Sequence, residues 1–410
     1  MGREKNLHGK TKNGLQYFIY PQKGFGEKMA AIVVKRGANH IFWKKKDGKE
    51  LRFPEGTAHF IEHKLFQQEW GDAFTKFLQN GASANAFTDG DKTVYYFNCR
   101  NKFVENLKIL LDFVHNPYFT KEGIEQEKAI ITSEIRMYED DPDWVVYYQM
   151  LEGMYENHPI KNKIAGTVES VKSITKDILQ KACETYYTTE NMVLICTGNV
   201  PVRQVQSLAE MVQKRNSDAC VYYPVEKREI FEKYQERKIG LARPRFQIGF
   251  KFPPFQKEEW CKTRIAMGFL MELLAGESSL FYGKAYERAL LDEPVGMAFF
   301  CGEGYAFSAF SAAGEHPEET AELLVQELKM LQKNGLYLAD FQRIRKKMLG
   351  RFLRRSDSPI SLCMGQIEWA MMDADAEKIL EYIKTLPMAE AEKLLQNAFS
   401  DNTMVLSVVR

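Results

Sequence analysis

The most informative segment of this chain reads Thr57-Ala58-His59-Phe60-Ile61-Glu62-His63-Lys64-Leu65-Phe66. It places His59 and His63 four residues apart, with Glu62 directly before the second histidine. On a helix, residues i and i+4 lie on one face, so both imidazoles can reach the same ion. Two neutral nitrogens in that geometry suit zinc, and an adjacent carboxylate suits a base that activates water. The segment therefore predicts a helix that carries part of a hydrolytic zinc site.

The residues around the two histidines are largely apolar, since the segment contains Phe60, Ile61, Leu65 and Phe66. A helix of this composition is expected to be mostly buried. A buried histidine or glutamate without a partner is costly, so two stray histidines on a surface helix fit the pattern poorly. The flanking residues therefore favour a functional site.

A catalytic zinc site needs a third protein ligand and keeps its fourth position open. The best candidate is Glu134, in a segment (127–138) whose apolar residues recur as on one face of a helix. Glu127 lies seven residues, close to two turns, before Glu134, so the two carboxylates share a face. One of them can bind the metal while the other supports the site. From the pattern alone, each glutamate could equally be a solvated carboxylate on the helix surface.

Together these residues carry a family resemblance. The H-x-x-E-H order is that of the inverted zincins, and the sequence resembles the pitrilysin–insulinase family of zinc peptidases, in the branch of mitochondrial processing peptidase and its bacterial relatives. Further matching segments are Asn13-Gly14-Leu15, Pro54-Glu55-Gly56, His158-Pro159, Ala165-Gly166-Thr167, Tyr186-Tyr187, Asn191-Met192-Val193-Leu194 and Gly198-Asn199. The resemblance implies that His59, His63 and Glu134 bind one zinc ion. It also implies that Glu62 is the catalytic base and that Glu127 is a second carboxylate supporting catalysis.

The resemblance also gives a role to residues 81–88, Gly-Ala-Ser-Ala-Asn-Ala-Phe-Thr. Family members use this strand as a sheet edge to which an extended peptide substrate adds through backbone hydrogen bonds. Asn85 and Ala86 match the positions that contact the substrate main chain. Without the resemblance, the same small residues would fit a loop before the strand predicted at 93–97.

Composition agrees with a soluble globular chain of two or more domains, because 410 residues carry 45% apolar and 27% charged side chains. A net charge of +1 gives no basic field for nucleic acid. We find no apolar run of about 18 residues and no signal peptide, and so expect no membrane span. The seven cysteines are scattered without a C-x-x-C pair, which fits reduced thiols and a cytoplasmic location.

The chain reads as two related halves. A helix predicted at 177–187 precedes a buried-type strand at 191–196, and a helix at 392–399 precedes a strand at 403–408. Aligning Met192 with Met404 also sets Tyr187 opposite Phe399, which suggests duplication. We predict a zinc-bearing half at 1–225, a charged linker at 226–238 and a related half without the metal motif at 239–410. The predicted fold class is α+β, each half being a mostly antiparallel sheet with helices on one face and forming half of a clamshell.

The second half departs from the pattern of active single-chain members. The resemblance implies an Arg and a Tyr, six residues apart near a Gly-Leu-Ala-Tyr-like turn, that bind the substrate carbonyl and the developing oxyanion. The corresponding residues here are Gly296-Met297-Ala298-Phe299, and Phe299 has no hydroxyl. Glu293 stands six residues before Phe299 with the wrong charge, while Arg288 and Tyr305 lie outside the spacing. Both are expected to be structural.

We therefore predict the metal-bearing subunit of a zinc endopeptidase that hydrolyses short or extended peptides, such as a leader or modified precursor peptide. A related partner subunit would supply the missing Arg and Tyr, as in a heterodimer. Three alternatives remain at this point: a self-sufficient homodimeric peptidase, a non-catalytic scaffold subunit and a small-molecule metallohydrolase. Retention of the full set of His and Glu residues speaks against the scaffold.

Overall fold

A computed structural model describes residues 6–410 of the chain. The strands are β1 (Leu7–Lys10), β2 (Gln16–Pro21), β3 (Lys28–Val34), β4 (Phe42–Lys45), β5 (Glu50–Arg52), β6 (Gln67–Gln68), β7 (Gly71–Asp72), β8 (Ala82–Thr88), β9 (Thr93–Cys99), β10 (Met192–Gly198), β11 (Ala219–Val221), β12 (Tyr234–Arg237), β13 (Arg245–Phe252), β14 (Gly296–Gly302), β15 (Tyr305–Ala313) and β16 (Met404–Val409). The α-helices are α1 (Thr57–Leu65), α2 (Ala73–Gln79), α3 (Phe103–His115), α4 (Lys121–Glu139), α5 (Pro142–Met154), α6 (Val168–Ser173), α7 (Lys176–Tyr186), α8 (Val202–Met211), α9 (Trp260–Ala275), α10 (Leu280–Glu287), α11 (Pro317–Asn334), α12 (Leu338–Arg355), α13 (Pro359–Ala370), α14 (Ala376–Thr385) and α15 (Met388–Ala398).

The described residues form two compact units, and each unit is discontinuous in sequence. Unit 1 takes the chain up to Arg136 together with Asn162–Tyr223 and Arg354–Asp375. Unit 2 takes Met137–Lys161, Pro224–Leu353 and Ala376–Arg410. Each unit thus consists of three segments, which alternate along the chain with the three segments of the other unit.

Unit 1 is built on a six-stranded sheet in the order β1-β2-β10-β3-β9-β8. Only the β2–β10 pair is parallel, and the other neighbours are antiparallel. The strand β8 therefore lies at an edge of the sheet. On one face, alternate residues of β3 and β10, such as Ile32 and Leu194, join a core that also contains Phe60 and Ile61 of α1. The predicted mostly antiparallel sheet under a helical layer is confirmed.

The helix α13 lies against the opposite face of this sheet, where it contacts β3 and β10. The Thr197 hydroxyl donates a hydrogen bond to the Pro359 carbonyl at 2.7 Å. The Tyr20 hydroxyl donates to the Gln366 side chain. All residues of β10 are consequently buried, which explains why its sequence is a run of mainly apolar residues rather than an alternating pattern.

Unit 2 is built on a five-stranded sheet in the order β12-β16-β13-β15-β14, again with one parallel pair, β12–β16. The helix α5 contacts β13 and β16, and its residues Met150 and Met154 belong to a buried cluster with Phe307 and Val405. The predicted helix-then-strand endings are confirmed, since α7 precedes β10 and α15 precedes β16.

The segment 226–238 is more than a connection, because it contains β12 and a buried ion pair between Glu226 and Lys251 at 2.9 Å. That the chain arose from two duplicated sequence halves, 1–225 and 239–410, stays a prediction. The compact units described above do not coincide with these halves, because each unit contains residues from both.

One segment, Lys257–Glu287, is long and apolar enough to cross a membrane by length and composition alone. It is broken where α9 ends and Gly276 becomes extended, and 61% of its most apolar window is buried. Core helices pass the same test, so the segment is weak evidence of a membrane span.

Candidate metal centre

The start of α1 is set by two glycines that face each other. Gly56 precedes the helix with a φ of 83°, a conformation that favours glycine, and a Cβ there would collide with the Ala165 carbonyl. Gly166 has a φ of 77°, and its Cβ would lie 2.6 Å from the Glu55 carbonyl. The two glycine segments noted in the sequence are therefore in direct contact, and together they hold the entry into α1.

The structure brings the three predicted ligands together. His59 Nε2 lies 3.7 Å from Glu134 Oε1, and His63 Nε2 lies 3.6 Å from Glu134 Oε2. One ligand atom from each of the three residues can be chosen so that all lie within 4.8 Å of one another. Ligands about 2.1 Å from a tetrahedral zinc ion are about 3.4 Å apart. The donor set and its spacing therefore fit a zinc ion.

His59 has the properties of a neutral ligand. Burial, followed by the neighbouring charge of His63, lowers the pKa of His59 to about 3. Its Nδ1 is buried and has no hydrogen-bond partner among residues 6–410. Because metal binding requires a deprotonated nitrogen, a histidine that resists protonation is suited to the role.

Glu62 lies one helical turn from His59, and its carboxylate accepts a hydrogen bond from the Thr88 hydroxyl at 2.9 Å. Burial raises the pKa of Glu62 to about 7, with a further upward contribution from Glu134, against the opposing effects of His63 and Thr88. A carboxylate with a pKa near neutrality is suited to take up and release a proton. The contact with Thr88 was not predicted, although Thr88 lies in the matching segment at 81–88.

The carboxylates of Glu127 and Glu134 face different nitrogens of the His63 ring. Its Oε1 lies 3.0 Å from His63 Nδ1, so it contacts the ring nitrogen that faces away from the ligand cluster. Burial would raise the pKa of Glu127, but the contacts with His63 and Lys64 outweigh burial and lower it. An ionised carboxylate at Nδ1 keeps the proton there and leaves Nε2 of His63 free for a metal.

Asn85 and Ala86 lie in β8, which pairs with β9 on one side only. Asn85 is exposed, and its side-chain oxygen accepts a hydrogen bond from the Ala86 amide at 2.8 Å. The same strand ends at Thr88, the partner of Glu62. The predicted sheet edge is thus present and leads to the cluster, while the role of Asn85 and Ala86 in substrate binding stays a prediction.

In the second half, the family resemblance implies an Arg and a Tyr that this chain lacks. The residues closest in sequence to those two positions have other contacts. Tyr305 is buried beside His158, with ring centroids 5.2 Å apart. Arg288 lies 3.7 Å from Glu319, and Glu293 is paired with Arg245. Phe299 lies in the edge strand β14. These contacts give each of them a place within unit 2.

Comparison with known proteins identifies the family. Residues 49–168 match the family described as Insulinase (Peptidase family M16), and residues 173–348 match the Peptidase M16 inactive domain. The uncharacterized zinc protease YmfH of Bacillus subtilis is 34% identical, over 99% of this chain and 97% of its own. This chain belongs to peptidase family M16. The resemblance inferred from the sequence is confirmed.

Other M16 relatives agree with this assignment. The crystal structure of an M16-like peptidase from Alicyclobacillus acidocaldarius has a TM-score of 0.93 at 28% identity, covering 99% of this chain and 98% of that one. The beta subunit of the mitochondrial-processing peptidase of Neurospora crassa is 31% identical over 45% of this chain and 39% of its own. The relatives in Bacillus and Neurospora are thus named as a zinc protease and as a peptidase subunit. Within the described part of the chain, the His59–His63–Glu134 cluster is the group of His, Cys, Asp and Glu side chains able to hold a metal.

Proposed function

We propose that this M16 chain is a zinc-dependent endopeptidase subunit that hydrolyses short or extended peptides, such as a leader or modified precursor peptide. The observation that carries the proposal is the convergence of His59, His63 and Glu134 beside the buried carboxylate of Glu62. The names of the relatives, which include a zinc protease, point in the same direction.

The roles of the residues follow from their positions. His59, His63 and Glu134 would hold one zinc ion. When bound, zinc would polarise the scissile carbonyl and lower the pKa of a coordinated water towards ~7. Glu62 would accept the proton of the attacking water and deliver it to the nitrogen of the leaving amine. Thr88 keeps the Glu62 carboxylate oriented for both transfers through its 2.9 Å hydrogen bond.

Substrate would be held by strand addition at β8. The free edge of this strand offers backbone donors and acceptors to an extended peptide, and Asn85 and Ala86 lie in the middle of it. Because the edge strand ends at Thr88, a peptide paired with β8 would pass close to Glu62. A requirement for extended backbone distinguishes this proposal from a small-molecule hydrolase.

The proposal includes a related partner subunit that supplies an Arg and a Tyr. It is supported by the lack of a hydroxyl at Phe299 and by the engagement of Arg288 and Tyr305 within unit 2. We also propose a cytoplasmic location, supported by the seven scattered cysteines, of which six are buried and Cys220 is exposed.

The test measures zinc content and cleavage of unstructured peptides by the purified chain, alone and with its co-purifying partner. We expect about one zinc ion per chain, and turnover that requires the partner. His63→Ala and Glu134→Ala should lose most of the zinc. Robust turnover by the chain alone would refute the need for a partner, and full zinc in the His63→Ala variant would remove that residue from the ligand set.

A further inference from the structure

Lys64 follows the second histidine directly and has a nearly fully buried side chain, of which 2% is exposed. A lysine ammonium is rarely buried so deeply, because removing the charge from water is costly unless it is paired. Its Nζ donates to the Gln67 side chain and, at 3.1 Å, to the Gly123 carbonyl. It also lies 3.6 Å from Glu127 Oε2. The ammonium of α1 is therefore held by the first two turns of α4.

Gly123 makes room for this ammonium. A Cβ at that position would lie 3.0 Å from Lys64 Nζ and 2.9 Å from the Thr120 hydroxyl oxygen. Glycine within a helix costs about 1 kcal/mol relative to alanine, so its presence in α4 calls for a packing reason. The space occupied by the lysine head group supplies that reason.

The two oxygens of Glu127 connect Lys64 to the cluster. Oε1 contacts His63 Nδ1 at 3.0 Å, and Oε2 faces Lys64. Both oxygens of the Glu127 carboxylate therefore have a partner, His63 for one and Lys64 for the other. The ammonium thus places a positive charge directly beside the carboxylate of Glu127.

On the basis of the proposed zinc function, we propose that Lys64 is a positioning residue that clamps Glu127 against His63, so that Nε2 of His63 faces the metal. Lys64 touches neither metal nor substrate and acts only through Glu127. The competing explanation is that Lys64 merely ties α1 to α4. The two explanations differ in whether the effect of Lys64 depends on the charge of Glu127.

The experiment measures the zinc affinity of the full chain by competition with a chromophoric chelator. The set comprises the wild type, Lys64→Met, Glu127→Gln and the double variant. Loss of a group that orients a ligand typically weakens metal binding by about 10- to 100-fold, and we expect this for Lys64→Met. In the Glu127→Gln background the same substitution should change the affinity little. Equal losses in both backgrounds, or no loss in either, would overturn the proposal.

Two further variants separate positioning from general damage. Lys251→Met removes another buried lysine, whose Nζ lies 2.7–3.0 Å from four acceptor oxygens in unit 2. This variant should lower stability while leaving zinc affinity unchanged. Gly123→Ala keeps the lysine but crowds its ammonium, and should weaken zinc binding in the same direction as Lys64→Met. If Lys64→Met does not fold, the Gly123→Ala result decides, and unchanged zinc affinity there would overturn the proposal. A wild-type chain that takes up no zinc would instead overturn the proposed function.

Discussion

The two units share one topology but differ in what fills it. The order β2-β10-β3-β9-β8 in unit 1 corresponds strand for strand to β12-β16-β13-β15-β14 in unit 2, including the single parallel pair. Along the chain, α1 lies between β3 and the edge strand β8 in unit 1. The helix α9 lies correspondingly between β13 and the edge strand β14 in unit 2. The helix α1 carries His59 and His63 of the candidate metal cluster, whereas α9 buries mainly apolar residues such as Phe269 and Leu270.

This difference indicates what the cluster is for. The same sheet and the same helix order form in unit 2 without buried histidines on the first helix, so the fold does not need them. Buried polar groups are costly unless they are paired. Only α1 of these two helices carries a buried histidine, which supports a chemical role for unit 1. It also fits the match of residues 173–348 to the inactive domain of the family.

The largest expected effect contrasts the buried acids of the two helices, Glu62 in α1 and Glu272 in α9. Glu62→Gln should keep zinc and fold but lose about 10²–10⁴-fold in turnover, because the amide cannot accept the proton of water. Glu272 is paired with Lys347 at 2.6 Å and with Arg351, so Glu272→Gln should lower stability and spare turnover. Peptide cleavage and thermal unfolding, measured on both variants, check the contrast. Wild-type cleavage by Glu62→Gln would mean that this residue is not the base.

A second pair compares packing. Phe60 in α1 and Phe269 in α9 are both fully buried, so replacing either by alanine should cost about 3–5 kcal/mol of unfolding free energy. Phe60→Ala should also weaken zinc binding, because it loosens the helix that carries His59 and His63. Urea unfolding together with zinc titration tests both statements. A change in zinc affinity caused by Phe269→Ala and not by Phe60→Ala would contradict this picture.

The smallest expected effect concerns a buried histidine with a structural use. In unit 2, His158 accepts from the Ile160 amide at 3.0 Å and donates to the Glu303 carbonyl at 2.9 Å, and burial lowers the pKa of His158 to about 4. As the pH falls, His158 is protonated in the unfolded chain first, near pH 6.5, and in the folded chain only near pH 4. The contribution of His158 to the free energy of unfolding is therefore fully present above pH 6.5 and is lost as the pH falls towards 4. The loss from this residue is about 1 kcal/mol per pH unit in that range.

Urea unfolding between pH 7 and pH 5, in the wild type and in His158→Gln, isolates this contribution. The variant should show a shallower fall of stability with acid, with or without added zinc. Parallel pH profiles for the two proteins would show that His158 does not contribute in this way.

Much of the fold and cluster could be predicted because the signals are local. The spacing of His59 and His63, the paired positions of Glu127 and Glu134, and the helix-then-strand endings are all properties of short segments. The helical pattern makes Glu134 a candidate ligand, and the family resemblance assigns it to the same ion as the histidines. No local rule states which distant helix approaches α1.

Other features depend on tertiary contacts that no short segment encodes. Thr88 meets Glu62 across 26 positions, and Lys64 meets the Gly123 carbonyl across 59. The apolar residues of α5 and α13 show that these helices are buried, but not against which sheet. The sequence therefore predicts the helices and strands better than it predicts which of the two units each of them joins.

The placement of α13 has a consequence for biosynthesis. Unit 1 includes Arg354–Asp375, a segment that follows most of unit 2 along the chain. While a nascent chain is still on the ribosome, the six-stranded sheet of unit 1 therefore lacks the covering of one face until translation has passed residue 375. A gene cut after residue 225 would encode a fragment with that face bare, so the two halves are poor candidates for independent expression.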